Sequence, residues 1–342
     1  MNSKNNLMSG SYKIRVGITI GDPSGIGPAI TRQAINKLRG LADFIVIGDE
    51  WVFNKSKKVP AKAGSRLISI KRRGKGKRQN YKFIDLHNVN HKKFAFGKIK
   101  AEYGRASIEY LDKALELIKN NKIECLVTCP ISKEAINLAG FHYSGHTEYL
   151  AKQTNARDVA MMLLNDKLRF SLLTRHLPLK KVARELKQDI LYKTISLTHR
   201  SLKKLFSIKK PRIVVCGLNP HASDNGTIGD EENRIIKPVL DKLRNRAVDI
   251  VGPISADVAI GKAYKKEYDC VLAIYHDQAL IPLKLSGFDK AVNITLGLPF
   301  VRTSPLHGTA FDIAGNDRLP NSNSLIEAIK LAVKCTTNLK RA

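Results

Sequence analysis

Polar side chains that could bind a metal or an anion are concentrated between residues 275 and 315. His276 and Asp277 come directly at the end of an apolar run at residues 270–275. The other members of this set are Lys284, Asn293, Arg302, His307 and Asp312. A solvated surface scatters such groups among other charges, whereas these lie at the ends of apolar segments, where strands deliver side chains to the edge of a sheet. The pattern predicts an active site.

Three histidines share this position after an apolar strand. They are His176, His221 and His276, and they follow the apolar runs 170–173, 213–216 and 270–275. Three imidazoles at one sheet edge could hold Zn²⁺ or a similar divalent cation and leave a position open for substrate. Their spacing is not a known metal motif, and each alone could be a polar loop residue. Asp257 and Asp277 could orient the histidines, add ligands or accept a proton, although Asp257 could instead cap a helix.

A second group of residues suits an anionic substrate. His146 and Thr147 lie at the start of a helix predicted at residues 146–153, where they could meet an anion, although Thr147 could also simply cap that helix. Lys284, Asn293 and Arg302 supply a charge, an amide and a bidentate fork, which suit a phosphate or carboxylate. Asn293 lies inside an apolar run, where an unpaired amide is costly. These residues predict substrate binding, and Lys284 is also a candidate catalytic residue.

The segment Gly21-Asp-Pro-Ser-Gly-Ile-Gly-Pro28 follows the first predicted strand. It differs from the Gly-x-Gly-x-x-Gly dinucleotide fingerprint, and no acidic residue at the expected distance completes that pattern convincingly. Its glycines suit a tight turn from strand to helix, and Pro28 suits the start of the helix. We therefore interpret it as a structural or substrate-facing loop.

Strands and helices alternate along the chain, which predicts an α/β fold with largely parallel sheets. Strands are predicted at residues 15–20, 44–48, 124–129, 159–164, 170–173, 213–216, 249–251, 270–275 and 292–296, and helices up to about residue 38 and at 105–120, 146–153, 189–206, 231–244 and 324–335. The length of 342 residues suggests two domains. We expect a terminal domain from residues 1–145 plus 290–342 and a middle domain from residues 146–289.

Composition favours a cytoplasmic protein. With 43% hydrophobic residues the chain can bury a sizeable core. No apolar run approaches the roughly 18 residues of a membrane span, and the first residues lack the apolar centre of a signal peptide. The five cysteines are an odd number and lie mainly in predicted strands, so we expect reduced core residues. Cys125 and Cys129 are not spaced as a Cys-x-x-Cys redox pair.

The formal net charge of +29 includes a basic run at residues 71–78. Such a run can bind nucleic acid or a membrane surface, or it can be a solvated loop. Zinc-finger spacing, an RNA-recognition signature and interleaved aromatic residues are all missing, which favours the solvated loop. A nucleic-acid-binding protein on an enzyme-like fold is the remote alternative, and steeply salt-dependent binding without turnover would support it. The positive field also favours anionic substrates.

Together these motifs resemble the 4-hydroxythreonine-4-phosphate dehydrogenase family of pyridoxal phosphate biosynthesis. The resemblance is carried, in order, by Gly21-Asp-Pro-Ser-Gly-Ile-Gly-Pro28, Gly145-His-Thr-Glu148, Thr174-Arg-His-Leu-Pro-Leu179, Gly217-Leu-Asn-Pro-His221, Tyr275-His-Asp-Gln278, Val292-Asn-Ile-Thr-Leu-Gly-Leu-Pro299, Arg302-Thr-Ser304 and His307-Gly-Thr-Ala310. It extends over residues 14–338. It implies two α/β/α domains with a cleft between them, as in isocitrate and isopropylmalate dehydrogenases, and a homodimer with the active site at its interface.

The resemblance also assigns roles to residues. It implies that His176, His221 and His276 bind one divalent metal (zinc, magnesium or cobalt), and that the substrate contacts His146, Thr147, Lys284, Asn293 and Arg302. The segment with His307, Gly308, Thr309 and Asp312 is similar to the loop that holds the adenosine half of NAD or NADP in the wider superfamily. Asp257, Asp277 and Lys284 are the candidate catalytic residues.

The implied reaction is oxidation of 4-phosphooxy-L-threonine, followed by decarboxylation. A sibling group that oxidises 4-phosphorylated threonate or erythronate shares these motifs. The sequence departs from the family pattern at Ala29 and Val258, and its basic segment at residues 55–82 has no counterpart in the family. The motifs do not separate NAD from NADP, and they do not identify the native metal.

Overall fold

The fold is described by a computed structural model that covers residues 12–56, 80–316 and 320–342. The basic run at residues 71–78, and most of the segment 55–82, lies outside the described residues.

Eleven strands and eleven α-helices make up the described part of the chain. The strands are β1 Arg15–Thr19, β2 Asp43–Gly48, β3 Tyr81–Asp85, β4 Cys125–Thr128, β5 Ala160–Leu164, β6 Arg169–Leu172, β7 Ile213–Cys216, β8 Ile250–Ile254, β9 Cys270–Ala273, β10 Val292–Leu296 and β11 Val301–Pro305. The helices are α1 Gly27–Lys37, α2 Glu50–Lys55, α3 Ala101–Lys119, α4 Lys133–Leu138, α5 His146–Gln153, α6 Leu179–Glu185, α7 Gln188–Phe206, α8 Lys237–Arg244, α9 Ala256–Tyr264, α10 His276–Gly287 and α11 Asn323–Arg341. None of these helices is long and apolar enough to cross a membrane.

All eleven strands join one sheet in the order β3-β2-β1-β4-β11-β10-β5-β6-β9-β7-β8. Pairing is parallel from β3 to β11 and again from β6 to β8. The three central pairs, β11–β10, β10–β5 and β5–β6, are antiparallel. The prediction of an α/β fold with largely parallel strands is therefore confirmed, with an antiparallel centre that the sequence did not indicate.

The sheet order follows the predicted division of the chain. Strands β1 to β4, β10 and β11 come from residues 1–145 and 290–342 and occupy one half, and β5 to β9 come from residues 146–289 and occupy the other. This order supports the two-domain division, which stays a proposal because a single sheet continues across the boundary.

The inner strands are largely buried on both faces, as expected for a sheet covered by helices, whereas the edge strands β3 and β8 are partly exposed. Strands β4, β7 and β9 consist entirely of buried residues. The cysteines belong to this core. All five are buried and unpaired, and burial raises the pKa of each thiol to about 12. The prediction of reduced core cysteines is confirmed by their burial and lack of pairing. A thiol with such a pKa is also a poor nucleophile and a poor metal ligand at neutral pH.

The turn after β1 has the geometry that its glycines predict. Gly21 has φ of 71°, and a Cβ there would lie 2.3 Å from the carbonyl oxygen of Pro130. A side chain is therefore excluded by both conformation and space. Pro28 lies in the first turn of α1, where its missing N–H costs no hydrogen bond.

The same turn buries a carboxyl group. Asp22 is fully buried; its Oδ1 accepts the Ser24 N–H at 2.9 Å, and its Oδ2 has no partner among the described residues. Burial raises the pKa of Asp22 to about 7, against the smaller opposing effect of Ser24. The carboxyl is therefore neutral below that pH and is ionised in a dry environment above it.

We expect Asp22→Asn to remove a pH-dependent loss of stability. The unfolded chain releases this proton near pH 4 and the folded chain near pH 7, so rising pH destabilises the wild type across that window, by on the order of 4 kcal/mol. The free energy of unfolding, measured by denaturant titration at pH 5 and pH 8, should shift in favour of the variant at the higher pH. The exposed carboxylate of Asp166 provides the control, as Asp166→Asn. An Asp22→Asn variant whose stability parallels the wild type at both pH values would contradict this expectation.

Candidate active site

The three predicted metal ligands follow three neighbouring strands. Strand β9 pairs in parallel with β6 on one side and with β7 on the other. His176 follows β6, His276 begins α10 directly after β9, and His221 follows β7. Because the carboxyl ends of parallel strands meet at one edge, the fold delivers all three residues to the same side of the sheet.

His176 and His276 are neighbours at this edge, with their ring planes tilted by 46°. Their ring centroids are 5.8 Å apart. A tetrahedral cation with metal–nitrogen bonds of about 2.0–2.1 Å places two imidazole centroids roughly 5 Å apart, so this pair fits a shared cation. Partial burial, the charge of Lys133 and the neighbouring His276 lower the pKa of His176, which favours the neutral, ligating form.

Asp277 orients the His276 ring. Its Oδ1 lies 2.6 Å from Nδ1 of His276. A carboxylate on one ring nitrogen fixes the tautomer and leaves Nε2 free as a ligand, the usual arrangement of metal-binding histidines. The structure thus places Asp277 as a partner of His276, in agreement with one of the roles that the sequence left open.

His221 differs from the other two histidines in its backbone conformation. It begins five consecutive residues with φ between 43° and 69°, residues 221–225, after the turn at Asn219. Its charge acts on Asp257 in the first turn of α9. Among the described residues no group of three histidine, cysteine or acidic side chains is close enough to hold a metal ion. The structure therefore pairs two of the three histidines, and the complete three-histidine site stays a proposal.

We call His146, Thr147, Asn293 and Arg302 the anion-binding group, and Arg302 supplies its positive charge. It lies on β11 with 2% of its surface exposed, and its partners are two threonine hydroxyls. Nη2 lies 2.6 Å and Nε 3.2 Å from Oγ1 of Thr128, and Nη1 lies 3.0 Å from Oγ1 of Thr295. Burial lowers the pKa of Arg302 to about 9, against an opposing effect of Glu148. This is a desolvated cation that no carboxylate contacts within residues 12–56, 80–316 and 320–342, which favours binding of an anion.

Of the other predicted substrate residues, His146 lies close enough for the charge of Arg302 to act on it. His146 is the first residue of α5, and its Nε2 is buried without a partner among the described residues. Burial and the nearby charge of Arg302 depress its pKa well below the usual value, while a hydrogen bond with the Cys129 backbone acts in the other direction. Thr147 is buried but does not cap the helix, since Gly145 occupies the cap position. The interpretation of Thr147 as a capping residue is therefore wrong.

Asn293 on β10 is buried as the sequence suggested. Its Nδ2 lies 3.3 Å from Oγ of Ser304 on the paired strand, and its Oδ1 has no partner in the described part of the chain. An unpaired buried amide oxygen is costly, so a ligand with a donor group would satisfy it.

Glu148 joins the anion-binding group to the histidine pair. Its charge acts on Arg302 and on His176, and its Oε1 lies 3.2 Å from Nη1 of Arg175. Glu148 and His176 also line one cavity of about 280 Å³, together with Ser144, Thr174, Arg175 and Glu185. Glu148 thus acts electrostatically on one residue of each group, Arg302 and His176.

Two predicted catalytic residues lie on exposed surfaces. Lys284 is exposed on α10, with its Nζ 5.3 Å from the centre of the Phe288 ring. Within the described ranges the Lys284 side chain forms no hydrogen bond or ion pair. Asp257 is exposed and accepts a hydrogen bond from the Ser255 hydroxyl, which with the Val258 N–H lowers its pKa. Ser255 caps α9, so the alternative role of Asp257 as a cap is wrong.

The predicted cofactor loop packs on the glycine-rich turn after β1. The Ile26 N–H donates to the Thr309 carbonyl at 3.0 Å. His307 keeps its Nε2 buried without a partner among the described residues, and burial lowers its pKa. A Cβ added at Gly308 would meet only open space, and Asp312 is exposed. Beside the loop is a cavity of about 190 Å³, lined by Gly25, Ile26, Lys55, Phe96, Ile313 and Asn316. A mixed apolar and polar pocket of this kind fits part of a dinucleotide.

Sequence reasoning missed several residues that build the site. Glu148 and Gln278 were visible within the motifs but received no role. Thr128 and Thr295 gave no signal, because hydroxyl residues inside apolar strands are common. Lys133 lies in the first turn of α4 and acts on His176, and it also resembled an ordinary surface residue.

Comparison with known proteins connects this site to a family. The family model of the pyridoxal phosphate biosynthetic protein PdxA matches residues 40–332. The chain belongs to the PdxA family. It is 42% identical to a 4-hydroxythreonine-4-phosphate dehydrogenase from Sulfurihydrogenibium sp., over 94% of this chain and 98% of that protein. It is 39% identical to the D-threonate 4-phosphate dehydrogenase of Salmonella typhimurium, over 93% of this chain and 98% of that protein.

The same family is found among solved structures. The crystal structure of 4-hydroxythreonine-4-phosphate dehydrogenase from Klebsiella pneumoniae superposes with a TM-score of 0.83 and is 33% identical, over 96% of this chain and 99% of that one. The resemblance that the motifs indicated is confirmed. The relatives and the solved structure named above are dehydrogenases, which are oxidoreductases.

Proposed function

We propose that this PdxA-family protein oxidises 4-phosphooxy-L-threonine with NAD or NADP. The product, 2-amino-3-oxo-4-phosphooxybutanoate, is a β-keto acid that loses carbon dioxide to give 3-amino-2-oxopropyl phosphate, within pyridoxal phosphate biosynthesis. The observation that carries the proposal is the pair of rings of His176 and His276, 5.8 Å apart, together with Glu148, whose charge acts on both His176 and the buried Arg302. An anion-binding group beside a pair of ligating imidazoles suits a phosphorylated hydroxy acid.

The substrate's anionic groups set its orientation. Arg302 supplies a desolvated fork, and His146 and Thr147 supply neighbouring polar groups at the start of α5. Asn293 offers its unpaired Oδ1 to a donor on the substrate. Lys284 adds a second cation for the other anionic end. Fixing both ends converts binding energy into alignment of the carbon that loses hydride.

His176, His221 and His276 would hold a divalent cation, and that cation would lower the pKa of the substrate hydroxyl and stabilise the charge that develops during decarboxylation. Asp277 keeps the His276 ring in its ligating orientation through the contact at Nδ1. Asp257, with its lowered pKa, is a negative charge beside His221.

A bound nicotinamide cofactor would supply the hydride acceptor for oxidation of the carbinol carbon of the substrate. We assign the adenosine half of this cofactor to the loop with His307, Gly308, Thr309 and Asp312. The packing of Thr309 on Ile26 fixes the loop against the turn after β1, and the adjacent cavity provides the space.

We further propose a cytoplasmic homodimer whose active site lies at the subunit interface. Helix α10 carries His276 and Lys284, and its outer face exposes Ile281 and Leu285, with Leu285 84% exposed; the exposed Phe288 follows directly after the helix. A partner subunit on this face would cover the apolar side chains and bring Lys284 close to a site. The reduced cysteines agree with a cytoplasmic location.

The decisive test is an assay of reduced nicotinamide formation with 4-phosphooxy-L-threonine, with NAD and NADP in separate reactions and with zinc, magnesium or cobalt added. We expect turnover that requires the metal and yields an aminoketone phosphate. Absence of turnover with every combination, in a folded sample, would exclude the proposal.

Oxidation of D-threonate 4-phosphate is the second candidate, because the chain is almost as similar to a dehydrogenase of that name as to the first relative. The two substrates differ at the group next to the carboxylate, an amine in one and a hydroxyl in the other. The same assay, run with each substrate at equal concentration, separates the candidates by the ratio of kcat/KM values. 4-Phosphoerythronate is assayed beside them.

A further inference from the structure

The three histidine-bearing turns are connected by one buried line of hydrogen bonds. Thr174, two residues before His176, donates its N–H at 3.1 Å and its hydroxyl at 2.6 Å to the carbonyl of Ile274. The Ile274 N–H donates to Oε1 of Gln278 at 2.8 Å. Nε2 of Gln278 donates to the carbonyl of Gly217 at 2.8 Å. The line thus runs from the end of β6 across the end of β9 to the end of β7.

Gln278 makes its contacts beyond the point where backbone pairing between β7 and β9 ends. The last paired residues of β7 and β9 are Val215 and Leu272, so the segments that lead to His221 and His276 are no longer joined by backbone pairing. The Gln278 amide spans this gap. It is 7% exposed, and both ends of the amide are satisfied by backbone groups.

We infer that Gln278 is a positioning residue that holds the His221 turn in register with the His176–His276 pair. This inference rests on the proposed metal site. The contact with the Ile274 N–H alone would be a helix-capping interaction, since Gln278 lies in the first turn of α10. The second contact, with Gly217, reaches a different strand and serves no capping purpose.

The His221 turn depends on such support from outside. Five successive non-glycine residues in the left-handed region are unfavourable, at roughly 1 kcal/mol or more each. Contacts on both sides maintain the turn. The buried Glu232 accepts from the Asn219 backbone N–H at 2.8 Å and side-chain amide at 2.9 Å, and Gln278 secures Gly217 on the strand side. Loss of either contact frees the segment that carries His221.

The test measures binding of Co²⁺ and Zn²⁺ to the metal-free full-length protein. Calorimetry gives the affinity, and the visible spectrum of the Co²⁺ form reports the ligand geometry. We expect Gln278→Met to weaken metal binding by about 10–100-fold, as is typical for groups that orient ligands. Gln278→Glu keeps an acceptor for Ile274 but removes the donor to Gly217. A similar loss and an altered Co²⁺ spectrum in this variant would assign the effect to the Gly217 contact.

Asn338→Leu is the matched control, because the Asn338 amide donates to the Leu205 carbonyl at 2.7 Å in the contact between α11 and α7. It should lower the melting temperature without changing metal affinity. If Gln278→Met does not fold, Gln278→Asn, which shortens the reach of the amide, carries the same expectation. Wild-type metal affinity in the folded Gln278 variants overturns the inference, provided that His276→Ala loses metal. Metal affinity retained in His276→Ala overturns the proposed metal site itself.

Discussion

Replacement of His276 by alanine is expected to abolish stable metal binding and to lower kcat/KM by at least about a hundredfold, more than loss of an orienting group does. His276 is the member of the histidine set with the strongest structural support. Its ring lies 5.8 Å from that of His176, and Asp277 holds its Nδ1 so that Nε2 remains free. Removing the ring therefore removes a ligand that the protein has already oriented.

The effect should be separable from any loss of stability. His276 is only half-buried, so alanine leaves little cavity, and the melting temperature of the metal-free protein should change little. The measurements are metal content after dialysis, metal titration and steady-state kinetics with metal in excess. His199→Ala, on α7, is the matched control and should retain full metal content. A His276→Ala variant that binds metal as tightly as the wild type would show that the histidine pair is not a metal site.

Much of this site could be predicted because local patterns encode it. An apolar run that ends in a polar residue indicates both a strand and the edge at which the strand ends, so the sequence alone places His176, His221 and His276 on one side of the sheet. The glycine-rich turn can be predicted equally well, since Gly21 occupies a conformation and a space that exclude side chains. Both signals depend on residues adjacent in sequence.

Long-range partners were not predictable in the same way. Arg302 was recognised as an anion-binding residue, but its hydrogen bonds reach Thr128 on another strand, 174 residues earlier in the chain. The separate strand β11 was missed because the short connection between β10 and β11, residues 297–300, is as apolar as a strand, and Gly297, with φ of 91°, begins the turn within it. In such segments the pairing with neighbouring strands, and not the local sequence, determines where one strand ends and the next begins.

Unusual backbone conformations were also invisible in the sequence. The helix predicted at residues 231–244 begins with a π-helical turn, Glu232–Ile236, before α8. Its buried Glu232 holds Asn219 at the start of the left-handed turn. Only Asn and Asp among residues 221–225 favour that conformation, so local propensity does not predict it. Irregular segments of this kind often occur at functional sites, where surrounding contacts maintain them.

Replacement of Arg302 is expected to have the second large effect. Arg302→Lys keeps a positive charge but loses the planar fork, and Arg302→Met removes the charge. We expect kcat/KM for the phosphorylated substrate to fall by about 10²–10³-fold in the lysine variant and further in the methionine variant, mainly through KM. Arg169→Lys is the matched control, because Arg169 also has a pKa lowered by burial but lies at the start of β6, at the opposite end of that strand from His176.

Stability distinguishes a ligand-binding guanidinium from a structural one. Burial lowers the pKa of Arg302, so its charge is unfavourable for folding when no anion is bound. A guanidinium nevertheless keeps its proton at every pH used for enzyme assays, so the charge is present throughout. Arg302→Met removes this buried charge, and we expect it to weaken substrate binding without lowering the free energy of unfolding.

These two expectations follow from one physical cause. Among the described residues no carboxylate contacts Arg302, so its buried charge is unfavourable for folding, and an anionic substrate is the partner that would compensate it. KM should therefore rise in Arg302→Met, whereas the free energy of unfolding, measured by denaturant titration, should not fall. An Arg302→Met variant that loses stability and keeps the wild-type KM would place Arg302 among the structural residues of the sheet and leave the substrate's anionic groups to Lys284 and His146.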